Sequence, residues 1–341
     1  MRLGIAACGL ILLCGALRPA AAQHPDFDAV VERARELAPM NSLIIWHRDS
    51  LVVESYFRGM ARDRRANIKS ASKTVLSALV GMAVADGDIP SLDTPLAELL
   101  PDYFDDVPEE KRDITLRHAI TMRTGLETTS FRNYGAWASS RDWVRFQVDQ
   151  PMECRPGGCW SYSTGTSHLV GVVLARATGE SLLAYARRKL FEPLGVRLAP
   201  WDRDPQGNYL GGNNMQLRPL DLAQFGRLFL ANGRWQGEQL VQASWIEESW
   251  DRYGRSPWNG NGYGFYWWNR RIAGESAWFA WGYGGQFVFV VPRLDLVIAT
   301  TASLVNRPRG VNHNNAVYRF LGQYVIPTVR ERGPSYTAPA R

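Results

Sequence analysis

Apolar, β-branched runs fall at the two ends of the chain, and helical patterns fill the stretch between them. The segment 42–57 predicts a hairpin: Leu43-Ile44-Ile45-Trp46, a polar turn at Arg48-Asp49-Ser50, then Leu51-Val52-Val53. Near the other end, 286–291 and 296–301 predict a second hairpin through Pro292-Arg293-Leu294-Asp295. Helices are expected over 70–86, closed by Gly87, and over 166–178, 181–190, 219–231 and 243–250, with a last one near 314–324. Strands this far apart in sequence can share one antiparallel sheet if the helical stretch is inserted between them. The expected class is therefore α+β. A sheet domain is drawn from 23–88 and 273–341, a helix-rich insert from 89–272, and the default site lies in the cleft between them.

The chain is long enough for that plan. Its 341 residues are 45% hydrophobic, with 13 each of Trp, Tyr and Phe, which excludes disorder and supplies a large core. The net charge of +6 comes without a basic stripe interleaved with aromatics, so no nucleic-acid partner is expected. Met1-Arg2, an apolar run over 3–17 and Ala20-Ala21-Ala22 have the layout of a cleaved secretory signal, residues 1–22. The run is short for a membrane span of roughly 20 residues. A periplasmic or secreted protein without stable membrane insertion is expected. Cys8 and Cys14 leave with the signal. Cys154 and Cys159 remain, and an oxidising compartment favours a disulfide between them. Two cysteines and the scattered His24, His47, His118, His168 and His313 assemble no metal site, and no cofactor is expected. His118 and His168 read as packing or surface residues.

Lysine is rare: only Lys69, Lys73, Lys111 and Lys189, against 39 basic residues in all. The segment from Ser70 to Val84 is apolar on nearly every face of a helix and should be buried. Lys73 is its only charge before Asp86. A buried ammonium is costly unless it is paired or loses its proton. Ser70 lies three residues earlier, hence on the same face, at a helix start where backbone N–H groups welcome negative charge. A nucleophile, an adjacent amine and an oxyanion donor thus coincide in one turn.

Two further segments carry candidate chemistry. Pro156-Gly157-Gly158-Cys159-Trp160-Ser161-Tyr162-Ser163-Thr164-Gly165 is a glycine-rich turn running into a helix, placed to present Tyr162 at a cleft edge. A phenol beside an amine can relay protons. Trp281-Gly282-Tyr283-Gly284-Gly285-Gln286 leads into a strand, and its glycines allow close approach by a ligand. Seven tryptophans fall between Trp245 and Trp281, mostly core, with a few available to line an acyl groove. No Gly-x-Ser-x-Gly elbow and no phosphate-binding loop occur.

Taken together, Ser70-x-x-Lys73, Tyr162-Ser163-Thr164 and Tyr283-Gly284-Gly285 resemble the three motifs of the serine β-lactamase-like superfamily, nearest its class C branch. That branch includes β-lactamase-fold carboxylesterases and 6-aminohexanoate-dimer hydrolases. Ser91-Leu92-Asp93-Thr94-Pro95, Met122-Arg123-Thr124-Gly125-Leu126 and Phe191-Glu192-Pro193-Leu194-Gly195 are also similar to family text, and the resemblance spans about 43 to 324. It implies a β-lactamase/transpeptidase-like fold, with an antiparallel sheet flanked by helices and a mostly helical insert. It implies Ser70 as acyl-enzyme nucleophile, Lys73 as proton acceptor or relay, and Tyr162 as general base and acid partner. The N–H groups of Ser70 and Gln286 would form the oxyanion hole. Thr164, Tyr283, Gly284 and Gly285 would contact the substrate, a small ester or amide. Most β-lactam enzymes have Lys or His where this chain has Tyr283. That departure points to the esterase and amidase side, with a β-lactamase or D,D-carboxypeptidase and a non-catalytic binding protein of the same fold as alternatives.

Overall fold

The computed structural model describes residues 27–305 and 312–332. The expected signal segment lies outside them. An eight-stranded antiparallel sheet is flanked by helices. Its strands are β1 (Met40–His47), β2 (Ser50–Tyr56), β3 (Gly254–Arg255), β4 (Gly262–Tyr263), β5 (Trp268–Ile272), β6 (Glu275–Gly282), β7 (Gln286–Val291) and β8 (Leu296–Ala302). The order across the sheet is β2-β1-β8-β7-β6-β5-β4-β3. The two expected hairpins therefore lie side by side: β1 pairs with β8, from Met40 opposite Ala302 to His47 opposite Leu296. Every residue of β7 and β8 is buried, as expected of mostly apolar strands covered on both faces.

The longer helices are α1 (Asp28–Glu36), α2 (Ser72–Asp86), α3 (Thr164–Thr178), α4 (Pro219–Leu230) and α5 (His313–Phe320). Gly87 closes α2 in the left-handed conformation that glycine adopts without strain. Ser163 caps α3, its Oγ accepting from the Thr166 N–H. Helix α4 packs on β8, β7 and β1.

Three details depart from the sequence pattern. The helix expected over 70–86 begins as α-helix only at Ser72, after a 3-10 turn over Lys69–Ala71. The helix expected over 181–190 changes from α-helix over Leu182–Ala186 to a π turn over Arg187–Phe191. Strands β3, β4 and β5 lie within 89–272, the stretch that reads as helix-rich, and extend the sheet at one edge. Two of them are two residues long, and the Trp-rich sequence around them lacks the alternation that marks a strand.

Candidate active site

The 3-10 turn that carries Ser70 is built by local hydrogen bonds. Lys69 has a left-handed backbone (φ 51°), and its N–H donates to Asn67 Oδ1 at 2.9 Å. Ser72 Oγ donates to the Lys69 carbonyl at 2.6 Å and accepts from the Met215 N–H at 3.1 Å. The β6–β7 hairpin closes against this turn. A Cβ on Gly282 would stand 2.0 Å from the Ile68 carbonyl oxygen, so only glycine lets the hairpin come this near. Gly284 and Gly285 then turn the chain with φ of 101° and 104° and deliver Gln286 to the start of β7. The Gln286 side chain is committed to the sheet: it donates to the Ala302 carbonyl at 2.9 Å and accepts from the Ala302 N–H at 3.1 Å.

One turn after Ser70, Lys73 is 1% exposed. Its Nζ reaches Ser70 Oγ at 3.3 Å and donates to the Gly212 carbonyl at 3.0 Å. Burial lowers its pKa from the usual 10.5 to about 7, so neutral and charged amine coexist near neutrality. The Tyr162 ring stands 5.1 Å from Nζ, and its phenol is hydrogen-bonded with the Ser70 hydroxyl. Burial pushes the phenol well above its ordinary range, and the Ser70 hydrogen bond only partly reverses this. Tyr162 is therefore a neutral phenol at pH 7.

The segment bearing Tyr162 is pinned on both sides. Cys154 and Cys159 are bonded, the Gly157 N–H donates to the Arg123 carbonyl at 2.8 Å, and the Ser161 N–H donates to Met122 at 2.9 Å. Thr128 Oγ1 donates to the Tyr162 carbonyl at 2.6 Å. Thr164 lines the site, but its hydroxyl pairs with Ser130 Oγ at 3.0 Å instead of with Lys73.

The partner of Lys73 that sequence reasoning missed is Gly212, in the loop Gly211-Gly212-Asn213-Asn214. Gly212 has φ +70°, and a Cβ there would lie 2.6 Å from Lys73 Cγ. Helix α3 fixes this loop. Ser167 Oγ donates to the Gly211 carbonyl at 3.0 Å, and the Gly211 N–H donates to His168 Nδ1 at 3.2 Å. His168 must then carry its proton on Nε2, which lies 2.9 Å from Asp204 Oδ2. Both side chains of this pair are fully buried. Burial works to raise the Asp204 pKa, but hydrogen bonds from His168 and Asn208 outweigh it and hold the carboxyl low. His118, by contrast, belongs to a helix cap, its Nδ1 accepting from the Thr115 N–H. The run of two glycines and two asparagines was the available sequence signal for the loop.

In front of Ser70 opens a cavity of about 470 Å³. One wall is aromatic: Phe131, Tyr162, Trp258, Trp268 and Trp281. Neighbouring rings along it lie 5.1 to 6.3 Å apart. Phe131, Trp258 and Tyr283 are 61%, 48% and 66% exposed, which makes an apolar mouth. Lys69, Tyr134, Asn213 and Asn214 also line the cavity. Among the described residues no group of three or more His, Cys, Asp or Glu can hold a metal ion, and no single helix is long and apolar enough to cross a membrane.

A fold of this topology, with Ser, Lys and Tyr converging beside the β6–β7 hairpin, defines the β-lactamase-like class. The family model for Beta-lactamase matches residues 27–323, and the chain belongs to that family. It is 26% identical over 204 residues to esterase EstB of Burkholderia gladioli, covering 52% of this chain and 51% of EstB. It is 24% identical over 244 residues to the 6-aminohexanoate-dimer hydrolase of Paenarthrobacter ureafaciens, covering 67% of this chain and 60% of that protein. The alignments thus span little more than half the length of these relatives. A penicillin-binding protein homologue from Caulobacter crescentus superposes with a TM-score of 0.69 at 18% identity, over 88% of this chain and 98% of that one, a likeness of fold.

Proposed function

We propose that the protein is an exported serine hydrolase that cleaves ester or amide bonds of small molecules through an acyl-enzyme on Ser70. The observation that carries this is the position of Ser70 Oγ between Lys73 Nζ, at 3.3 Å, and the hydrogen-bonded phenol of Tyr162. Neutral Lys73 takes the Ser70 proton as Oγ attacks the carbonyl carbon. The tetrahedral oxyanion sits between the N–H groups of Ser70 and Gln286. As the bond to the leaving group breaks, Tyr162 gives that group its proton and recovers one from the Lys73 ammonium. Water then attacks the acyl-enzyme by the reverse route and releases the acid. The esterase and dimer-hydrolase relatives support the reaction class. The aromatic wall suits an apolar acyl or alkyl group. Export is supported by the signal-like segment 1–22 and by the Cys154–Cys159 bond, which an oxidising compartment favours.

The test is turnover of p-nitrophenyl butyrate by the mature chain, by Ser70→Ala and by Tyr162→Phe. Ser70→Ala is expected to lose all enzyme-dependent turnover and Tyr162→Phe at least 100-fold in kcat/KM. In the wild type, kcat/KM should rise through about pH 7 as Lys73 loses its proton. Equal activity in wild type and Ser70→Ala refutes the assignment.

A further inference from the structure

The cavity in front of Ser70 holds a cation that acyl transfer does not use. Lys69 is its one charged lining residue. Its Nζ donates to Asn214 Oδ1 at 3.1 Å, the single hydrogen-bond acceptor it has among the described residues. A lysine ammonium has three N–H donors, so two remain for a ligand. Asn214 Oδ1 also accepts from Asn67 Nδ2 at 3.3 Å, and the Asn214 amide in turn donates to the exposed carboxylate of Asp202. Half-burial lowers the Lys69 pKa, while Asp202 acts in the other direction and favours the charged form. Lys73 does not compete for a ligand here, because it is buried and committed to Gly212 and Ser70. The cavity therefore pairs a polar, cationic side with the aromatic wall.

We propose that Lys69 binds a carboxylate carried by the substrate, so that the preferred substrates are esters or amides with a negative charge some atoms from the scissile carbonyl and an apolar body. This rests on the serine-hydrolase reading above. A neutral substrate filling the cavity would strip water from the ammonium and offer nothing in return. A carboxylate replaces that water with a charge-assisted hydrogen bond, the stronger kind. Tyr283 lines the same cavity without a charge, so Lys69 is the lining residue that can meet a carboxylate with a full positive charge.

The test compares p-nitrophenyl half-esters of the dicarboxylic acids from glutaric to suberic with neutral p-nitrophenyl alkanoates of equal chain length, each corrected for spontaneous hydrolysis. The readout is the charged-to-neutral ratio of kcat/KM within each enzyme. For at least one chain length the wild-type ratio should exceed about 10, and Lys69→Met should lower it about 10- to 100-fold, the span expected for a charged hydrogen bond. Lys69→Arg should restore most of it. A wild-type ratio at or below 1 for every length overturns the inference, and so does a ratio that survives in Lys69→Met. In both cases Ser70-dependent turnover of the neutral esters leaves the hydrolase reading standing. Should Lys69→Met fail to fold, the wild-type ratio and its fall between low and high salt decide the matter. If Ser70→Ala matches the wild type on both series, the hydrolase reading itself fails, and the Lys69 inference with it.

Discussion

Replacing Lys73 with methionine should abolish turnover and stabilise the fold, with a stabilisation that depends on pH. The side chain is 1% exposed, and burial lowers its pKa from 10.5 to about 7. At about 1.4 kcal/mol per pH unit, this corresponds to a cost of about 5 kcal/mol for holding the ammonium in the folded protein. The sign follows from proton counting. Between pH 7 and 10.5 the unfolded chain holds the Lys73 proton more tightly than the folded one, so stability rises with pH across that window. Below about pH 7 the full cost is present; by pH 10.5 it has vanished. Methionine keeps the length and apolar stem of lysine without the charge. Denaturant unfolding of wild type and Lys73→Met at pH 6 and pH 10 checks this, because other titrating groups cancel in the difference. Lys73→Met should be the more stable at pH 6, and its advantage should shrink by about 4 kcal/mol on going to pH 10. An advantage independent of pH, or a variant less stable than wild type at pH 6, refutes the account of Lys73 as a lysine deprotonated by burial.

Other outcomes follow from the loop that supports Lys73. Gly212→Ala puts a methyl 2.6 Å from Lys73 Cγ at a positive φ, and should lower kcat/KM about 100-fold by displacing the amine. Gly87→Ala, also at positive φ but with nothing within 4 Å of the new methyl, should lose about 1 kcal/mol in urea unfolding and keep its activity. His168→Leu strands the buried Asp204 carboxylate and should cost on the order of 3 kcal/mol by urea unfolding, with a fall in kcat from the loosened Gly211–Gly212 segment. Replacing Cys154 and Cys159 together with alanine opens a loop whose ends are five residues apart, and should cost about 2 kcal/mol in thermal or urea unfolding.

Much of the site is legible in the chain because its parts obey local rules. Lys73 stands out as the only charge before Asp86 on a mostly apolar helix, and the glycines of the third motif mark the close approach that Gly282 makes to Ile68. The hairpin near the C-terminal end reads clearly because 287–291 and 296–299 are unbroken apolar runs. What eludes a local reading depends on contacts between distant segments. The Gly212 carbonyl is one of 341 and carries no side chain to announce it. His168 looks like an ordinary helix residue until Asp204 is brought to within 2.9 Å of it by a loop 36 positions later. Lys69 shares its helix start with the nucleophile, yet its exposure to the cavity follows from a left-handed φ that its sequence does not signal. The short strands β3 and β4 are stabilised by their neighbours and have no pattern of their own.

The pairing of β1 with β8 also governs the order in which the fold can be completed. Ile44 lies opposite Ala299, so the seam one strand in from the β2 edge joins residues far apart in the sequence. A chain that emerges from a ribosome or a translocation pore with its N-terminus first has no partner for that side of β1 until the long stretch between β1 and β8 has passed through. The β1–β2 hairpin can form early, but one edge of β1 waits for strand β8. Closure of so long a loop should be slow, and until it happens β1 exposes an unpaired apolar edge. The same strand pairing that locks the finished sheet therefore leaves the chain loosely structured for as long as it is still being threaded.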